Sequence, residues 1–298
     1  MENLNYYIDL FKDKRLAKEE LSELATSITA GARYNVTTNE IGIRSPGTLK
    51  IFIEKDTPDF PFELLPIEGN ATLGSKYLIK RSIMKRKPIE IKKTFLKQVG
   101  IIQTENPLPE IHGHNLEKEM IDIWTKNNFK TSTIHLDCDL IQKAKYTVEH
   151  SQIAHFSGHA DITNKEPVFQ LDGRNKIYLT INDLLHLKTC PEFIWMNACQ
   201  TAYHTNAIKS WADFFLEKGC QSFIGSALPV SDSLAMYAAD KFYSVFSLGE
   251  TAGFAYYTMI QDLLDQGYIE AFLLRFYGSS KYFLDDSKAL KVHSLNFS

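Results

Sequence analysis

From residue 99 onward, short apolar runs alternate with amphipathic segments, and nothing else in the chain restricts its fold as strongly. VGIIQT (99–104), STIHLD (132–137), QIAHFSG (152–158), FIWMNA (193–198) and QSFIGSA (221–227) read as strands. LEKEMIDIWTKN (116–127), DLIQKAKYTVEH (139–150) and AIKSWADFFLEKG (207–219) carry apolar residues at helical spacing, the last closed by Gly219. Strands that are apolar throughout are buried on both faces, and their alternation with helices predicts an α/β fold, an open and mostly parallel sheet flanked by helices. VFQLDGRNKIYL (168–179) adds two short strands about Asp172-Gly173, a hairpin signal. INDLLHL reads as a short helix capped by Thr180, and the stretch from Asp232 to about Tyr277 as mostly helical.

The region before residue 99 has another rhythm. The first 30 residues read as helix ending at Gly31, and TLKIFIEK (48–55) and KYLIKRSI (76–83) as strands separated by a Pro-rich break. This predicts an N-terminal α+β subdomain over 1–98, a core over 99–285 and a tail over 286–298. Residues 76–97 hold nine Lys/Arg and one acid, Glu90, and read as a solvated face around a hairpin.

Composition narrows the function classes. With 33 Lys+Arg against 36 Asp+Glu, a net charge of −3 excludes binding to nucleic acid through bulk positive charge. Residues 76–97 are the local patch left for that, with little aromatic interleaving. Hydrophobic residues at 44% and charged residues at 23% are ordinary for a globular chain. The apolar stretch Gly219–Ser231 is shorter than the roughly 20 residues that cross a bilayer, so no membrane partner is expected. No secretory signal is visible at the N-terminus, which makes the cytoplasm the default location. Cys138, Cys190, Cys199 and Cys220 show no CxxC spacing, so neither a zinc ribbon nor a redox pair is suggested.

In open α/β sheets ligands sit at the carboxyl ends of the strands. The strand ending at 157 delivers Gly158-His159-Ala160-Asp161, and the strand ending near 197 delivers Ala198-Cys199-Gln200-Thr201. On neighbouring strands, His159 and Cys199 would meet across the crevice. An imidazole there can take the thiol proton, hold a thiolate as an ion pair and later protonate a leaving amine. Gly158, Ala160 and Ala198 leave room for a substrate backbone, and the amides of Ala160 and Cys199 are candidates for an oxyanion hole. His155 lies within a strand and reads as structural. A His155–His159 metal pair is disfavoured because four strand residues span about 13 Å. His112 and His114 in IHGH have the same weak metal look and are placed in a loop.

HFSGHAD followed 40 residues later by WMNACQT resembles the caspase-type cysteine peptidases. It resembles more closely the CHAT family, within the clan of caspases, separase and gingipain-type proteases. GCQSFIGSALPVSD, DKFYSVFSLGETAGFAYYTMIQDL and DFPFELLPI resemble flanking segments of that family, so the likeness spans about 45–285. The resemblance implies a caspase-like fold, His159 as general base, Cys199 as nucleophile and no metal or organic cofactor. It implies a protein substrate and, from bacterial members, a setting of defence or regulated cell death. Two departures stand out. Ala160 replaces the usual Gly, which would strain a left-handed backbone there, and Thr201 stands where caspases have Gly. No third residue that orients His159 is evident: Asp161 and Asp139 are candidates, and a backbone carbonyl would serve as well.

By the same resemblance, Asn197 and the segment Ser226 to Asp232 would line the first specificity pocket. Caspases need arginines there, and residues 221–240 contain no Lys or Arg, so cleavage after Asp is not expected. Asp232 would suit a basic residue, or serve as cap of the next helix. About 20 residues separate Cys199 from the next strand, so activity is expected without internal cleavage, under control of a protein partner or the N-terminal part. Two other classes stand beside the endopeptidase: a catalytically silent caspase-like binding module, and a nucleic-acid-associated protein using 76–97.

Overall fold

The computed structural model describes residues 47–53, 62–64, 66–67, 71–83, 99–108, 117, 119, 139–203 and 209–282. Its strands and helices run β1 (Gly47–Ile53), β2 (Pro66–Ile67), β3 (Ala71–Thr72), α1 (Leu73–Lys76), β4 (Tyr77–Ile83), β5 (Val99–Gln103), α2 (Leu140–His150), β6 (Ile153–Ser157), β7 (Ala160–Thr163), β8 (Glu166–Asp172), β9 (Ile177–Thr180), β10 (Phe193–Asn197), α3 (Trp211–Glu217), β11 (Ser222–Ser226), α4 (Asp232–Phe246), α5 (Ala252–Asp265) and β12 (Leu274–Gly278). The helix expected over 1–30 and the strand expected over 132–137 fall outside the described residues. Of the helix expected over 116–127, Glu117 and Glu119 are described, and both are helical.

A seven-stranded sheet in the order β1-β4-β12-β11-β10-β6-β5 forms the centre. Every neighbouring pair is parallel except β11–β12. The mostly parallel α/β sheet anticipated from the sequence is therefore present. Strand residues alternate between two cores. Ile153, Phe193, Trp195, Ile224 and Phe276 face α4 and α5, while Ala154, Phe156, Ile194, Met196, Phe223 and Tyr277 face α2, α3 and the strands β8 and β9. Burial on both faces is why these strands read as unbroken apolar runs.

Local signals set the ends of the elements. Ser210 caps α3 by accepting from the Asp213 amide at 3.0 Å, and the Asp213 carboxylate accepts from the Ser210 amide at 3.1 Å. At its far end Gly219 takes φ 111, and the amides of Gly219 and Cys220 donate to Leu216 O and Phe215 O at 3.2 and 3.0 Å. That is a Schellman closure, which needs a residue at ease in left-handed backbone. Thr180 exchanges hydrogen bonds with Asp183 at the start of a single 3₁₀ turn, Asn182–Leu184.

Three sequence expectations are corrected. Leu274–Gly278 is a strand, antiparallel to β11, where the sequence reads as mostly helical to Tyr277. β4 belongs to no hairpin: it lies parallel to both β1 and β12, so the strands before residue 99 join the same sheet as the core. The basic stretch is not all solvated, because Arg81 is fully buried. Arg81 donates both terminal nitrogens to Glu63, and Arg275 of β12 reaches the same carboxylate at 2.9 Å. This buried trio ties β4, β12 and the 3₁₀ turn Phe62–Leu64 together.

Burial alone would raise the Glu63 pKa, but Arg275 and Arg81 hold it below its ordinary 4.5. Its stabilising contribution is therefore complete above that ordinary value and is lost as pH falls through the lower folded one. Glu63→Gln leaves two buried guanidinium groups facing a neutral partner. We expect a loss of about 3–5 kcal/mol, read from urea unfolding midpoints at pH 7. The gap between wild type and variant should narrow as the pH is lowered.

Candidate active site

The site is built by strand register. β6 and β10 are adjacent and parallel, with Ser157 opposite Asn197 at their carboxyl ends. His159 and Cys199 each lie two residues past that pair, so the register brings both to the carboxyl end of the sheet. Both are partly exposed. The crossing is tight: a Cβ on Gly158 would stand 1.8 Å from Thr104 Oγ1, while the Gly158 amide makes only a long bond to Asn197 O at 3.4 Å. The Thr104 hydroxyl donates to Gln170 O at 2.6 Å, and the Gln170 amide donates to His159 O at 2.8 Å. The backbone around His159 is thereby moored to the small sheet β7-β8-β9.

Cys199 occupies a sharp turn. Gln200, the next residue, takes φ 56, a left-handed conformation uncommon for a side chain of its size. Ala160 shows none of the strain expected of it: it begins β7 in extended pairing with Phe169. The strained position is thus beside the cysteine and not beside the histidine. Thr201 explains its own departure from the caspase pattern. It is fully buried, and its hydroxyl faces Met196 O and Ala198 O at 3.1 and 3.2 Å while accepting from the Ser226 amide at 3.1 Å. It pins the cysteine turn to β11, which leaves room for it with Gly225.

Burial raises the thiol pKa of Cys199, and the carboxylates of Asp232 and Asp161 raise it further, against a lowering hydrogen bond from the Val230 backbone. Both effects disfavour the thiolate, so attack by this sulfur calls for a base to take its proton.

The other candidates are placed as follows. Asp232 is the first residue of α4, and Ser231 holds the cap position, so Asp232 is not the cap. Asp139 is spent as the N-cap of α2, accepting from the Gln142 amide at 2.9 Å, and is no partner for His159. Asp161 is exposed and acts on the sulfur by charge. Asn197 and Ser226 are buried, with their donors committed inside the protein. Asn197 Nδ2 donates to Glu117 and to Ala235 O, and the Ser226 hydroxyl to Leu228 O. Neither offers a free donor to a ligand. His155 is fully buried between Glu117 and Tyr243, in keeping with a structural role. Cys220 is buried with its sulfur near Ser222 O, and Cys190 is partly buried; Cys138, His112 and His114 fall outside the described residues. Glu117 is the residue that sequence reasoning missed.

The model of the CHAT domain matches residues 39–255, most of the chain. The chain belongs to the CHAT family. This CHAT chain is also similar in structure to the Arg-specific cysteine proteinase gingipain R, with a TM-score of 0.52 at 9% identity over 89% of this chain and 68% of that one. The complex of the pro- and mature domains of RgpB from Porphyromonas gingivalis gives 0.53 at 10% identity, over 89% and 69%. A likeness to Saccharomyces cerevisiae separase in its securin complex reaches 0.48 at 13% identity, over 74% of this chain and 14% of that one. A search of the curated proteins finds no match. The fold of this CHAT chain is thus that of the caspase-like cysteine proteases. Among its described residues no helix is long and apolar enough to cross a membrane.

Removing either carboxylate near the sulfur favours the thiolate. Asp232→Asn and Asp161→Asn should each lower the Cys199 pKa and raise its alkylation rate by iodoacetamide at pH 7 by a few-fold, in proportion to the thiolate gained. Peptide mass spectrometry with Cys190 as internal reference reads this, and rates equal to wild type would place the carboxylates electrostatically out of reach.

Proposed function

We propose that this CHAT chain is a cysteine endopeptidase that cleaves a partner protein with a Cys199–His159 dyad, without metal or organic cofactor. The observation that carries the reading is the equal offset of the two residues from the paired strand ends, Ser157 opposite Asn197. In this mechanism His159 takes the Cys199 proton as the sulfur attacks the scissile carbonyl carbon. The oxyanion that forms is met by the amides of Cys199 and Ala160. His159 then passes the proton to the departing amine, leaving a thioester, which water hydrolyses with His159 again as base. Gly158 lets the turn into His159 pass against Thr104, where a Cβ would not fit. By family resemblance the setting is bacterial defence or regulated cell death.

The two carboxylates near the sulfur support a basic residue before the cleaved bond. Residues 221–240 hold no Lys or Arg that would take an acidic one. The gingipain R to which the fold is similar is itself described as Arg-specific. The raised thiol also favours a second reading, a silent module that binds a protein without cutting it.

One experiment separates the two. Wild type, Cys199→Ala and His159→Ala are incubated with a protein-derived peptide library, and new termini are mapped by mass spectrometry. An endopeptidase gives termini that follow Lys or Arg and that fall by about 10³-fold or more in either variant. Activity in the intact single chain is expected. An absence of new termini, with protein partners present, selects the binding module.

A further inference from the structure

Beneath the dyad lies a side-chain cluster that the reaction itself does not use. Glu117 is 4% exposed, and its carboxylate accepts three hydrogen bonds. His155 Nε2 reaches Oε1 at 2.8 Å, Asn197 Nδ2 reaches the same oxygen at 2.6 Å, and Ser157 Oγ donates to Oε2 at 2.6 Å. The donors come from two strands, His155 and Ser157 from β6 and Asn197 from β10. Side chains two apart on a strand share a face, so His155 and Ser157 point the same way. That face is the α4 side, where His155 meets Tyr243 OH at 3.1 Å and packs edge-on against Trp195.

Two of these donors are the residues that launch the dyad. Ser157 and Asn197 are register partners, each two residues before His159 or Cys199. The backbone link just past them, Gly158 to Asn197 O, is long at 3.4 Å. The side-chain bonds through Glu117 are shorter and charge-assisted, the stronger kind. Asn197 lies between two acceptors, Glu117 Oε1 and Ala235 O, so its amide nitrogen must face both. One carboxylate therefore joins the ends of β6 and β10 and, through Asn197 and His155, ties both to α4.

We propose that Glu117 is a positioning residue for the dyad, clamping Ser157 to Asn197 so that His159 stands within reach of Cys199. The proposal rests on the dyad reading above. Glu117 touches neither reacting atom: it acts through the two strand ends. A variant that loosens the clamp should weaken the help that His159 gives the thiol and leave chemistry that does not use His159 unchanged.

The test is a double-mutant cycle read at Cys199. Full-length wild type, Glu117→Gln, His159→Ala and the double variant are treated with iodoacetamide from pH 6 to 10, with Cys190 as internal reference. Glutamine keeps the shape of the side chain and removes its charge. In the wild-type background Glu117→Gln is expected to slow Cys199 about tenfold near pH 7 and to move its rate profile to higher pH. In the His159→Ala background the same change should have less than a twofold effect. A slowing of equal size in both backgrounds marks a general structural role and overturns the proposal, as does an unchanged rate in the first. If His159→Ala alone leaves Cys199 unaffected, the dyad reading fails, and the clamp falls with it for a distinguishable reason. Should Glu117→Gln not fold, Ser157→Ala in the same cycle removes one arm of the clamp. It should slow Cys199 several-fold when His159 is present, and an unchanged rate overturns the proposal.

Discussion

The parallel pairing of β6 with β10 is the constraint on which the candidate site depends. Parallel strands begin and end together, so two side chains at the same offset beyond a paired position emerge at one edge of the sheet. Ser157 opposite Asn197 sets that offset for His159 and Cys199. An antiparallel pairing of the same strands would have sent the histidine and the cysteine to opposite edges. The remaining contacts hold this edge rigid. Thr201 ties the cysteine turn to β11, Gln170 holds the carbonyl of His159, and Glu117 bridges the strand ends.

Much of this was readable from the chain because strands buried on both faces leave unbroken apolar runs. β5, β6, β10 and β11 lie close to where the runs place them, and the two motifs sit at their carboxyl ends. β12 was hidden for a physical reason. Ile269–Leu273 is a 3₁₀ turn leading directly into Leu274–Gly278, so one apolar stretch holds a turn and a strand with no polar break. With β12 unread, β4 had no visible partner, and its basic residues looked solvent-facing. Arg81 is buried because Glu63 and Arg275, distant in sequence, converge with it, and no local pattern announces such a trio.

Glu117 was hidden in the same way. On an amphipathic helix a glutamate belongs to the polar face by default. It turns inward here because three donors, 38, 40 and 80 residues away, meet at one point. Asn197 shows the converse. Its place beside the cysteine suggests a pocket residue, and its amide nitrogen is in addition engaged by Glu117 and Ala235. Side-chain partners at long range are set by strand order, and the order of a sheet is the least local property of its sequence. The two cases also separate the tasks of this edge, with the buried side carrying the clamp and the open side left to charge.

That open side sets a conflict that the chemistry has to resolve. Burial and two carboxylates each disfavour the thiolate at Cys199, whereas attack on a carbonyl needs it. A resting thiol of this kind is protected from adventitious alkylation and oxidation, since both act on the thiolate. A cationic side chain bound against Asp232 and Asp161 would cancel their field at the sulfur and complete the displacement of water from the crevice. Cancelling the field lowers the thiol pKa, and excluding water strengthens each remaining interaction with the developing charge. On the proposed peptidase reading, the same two carboxylates would both favour a basic substrate and release the nucleophile on its arrival.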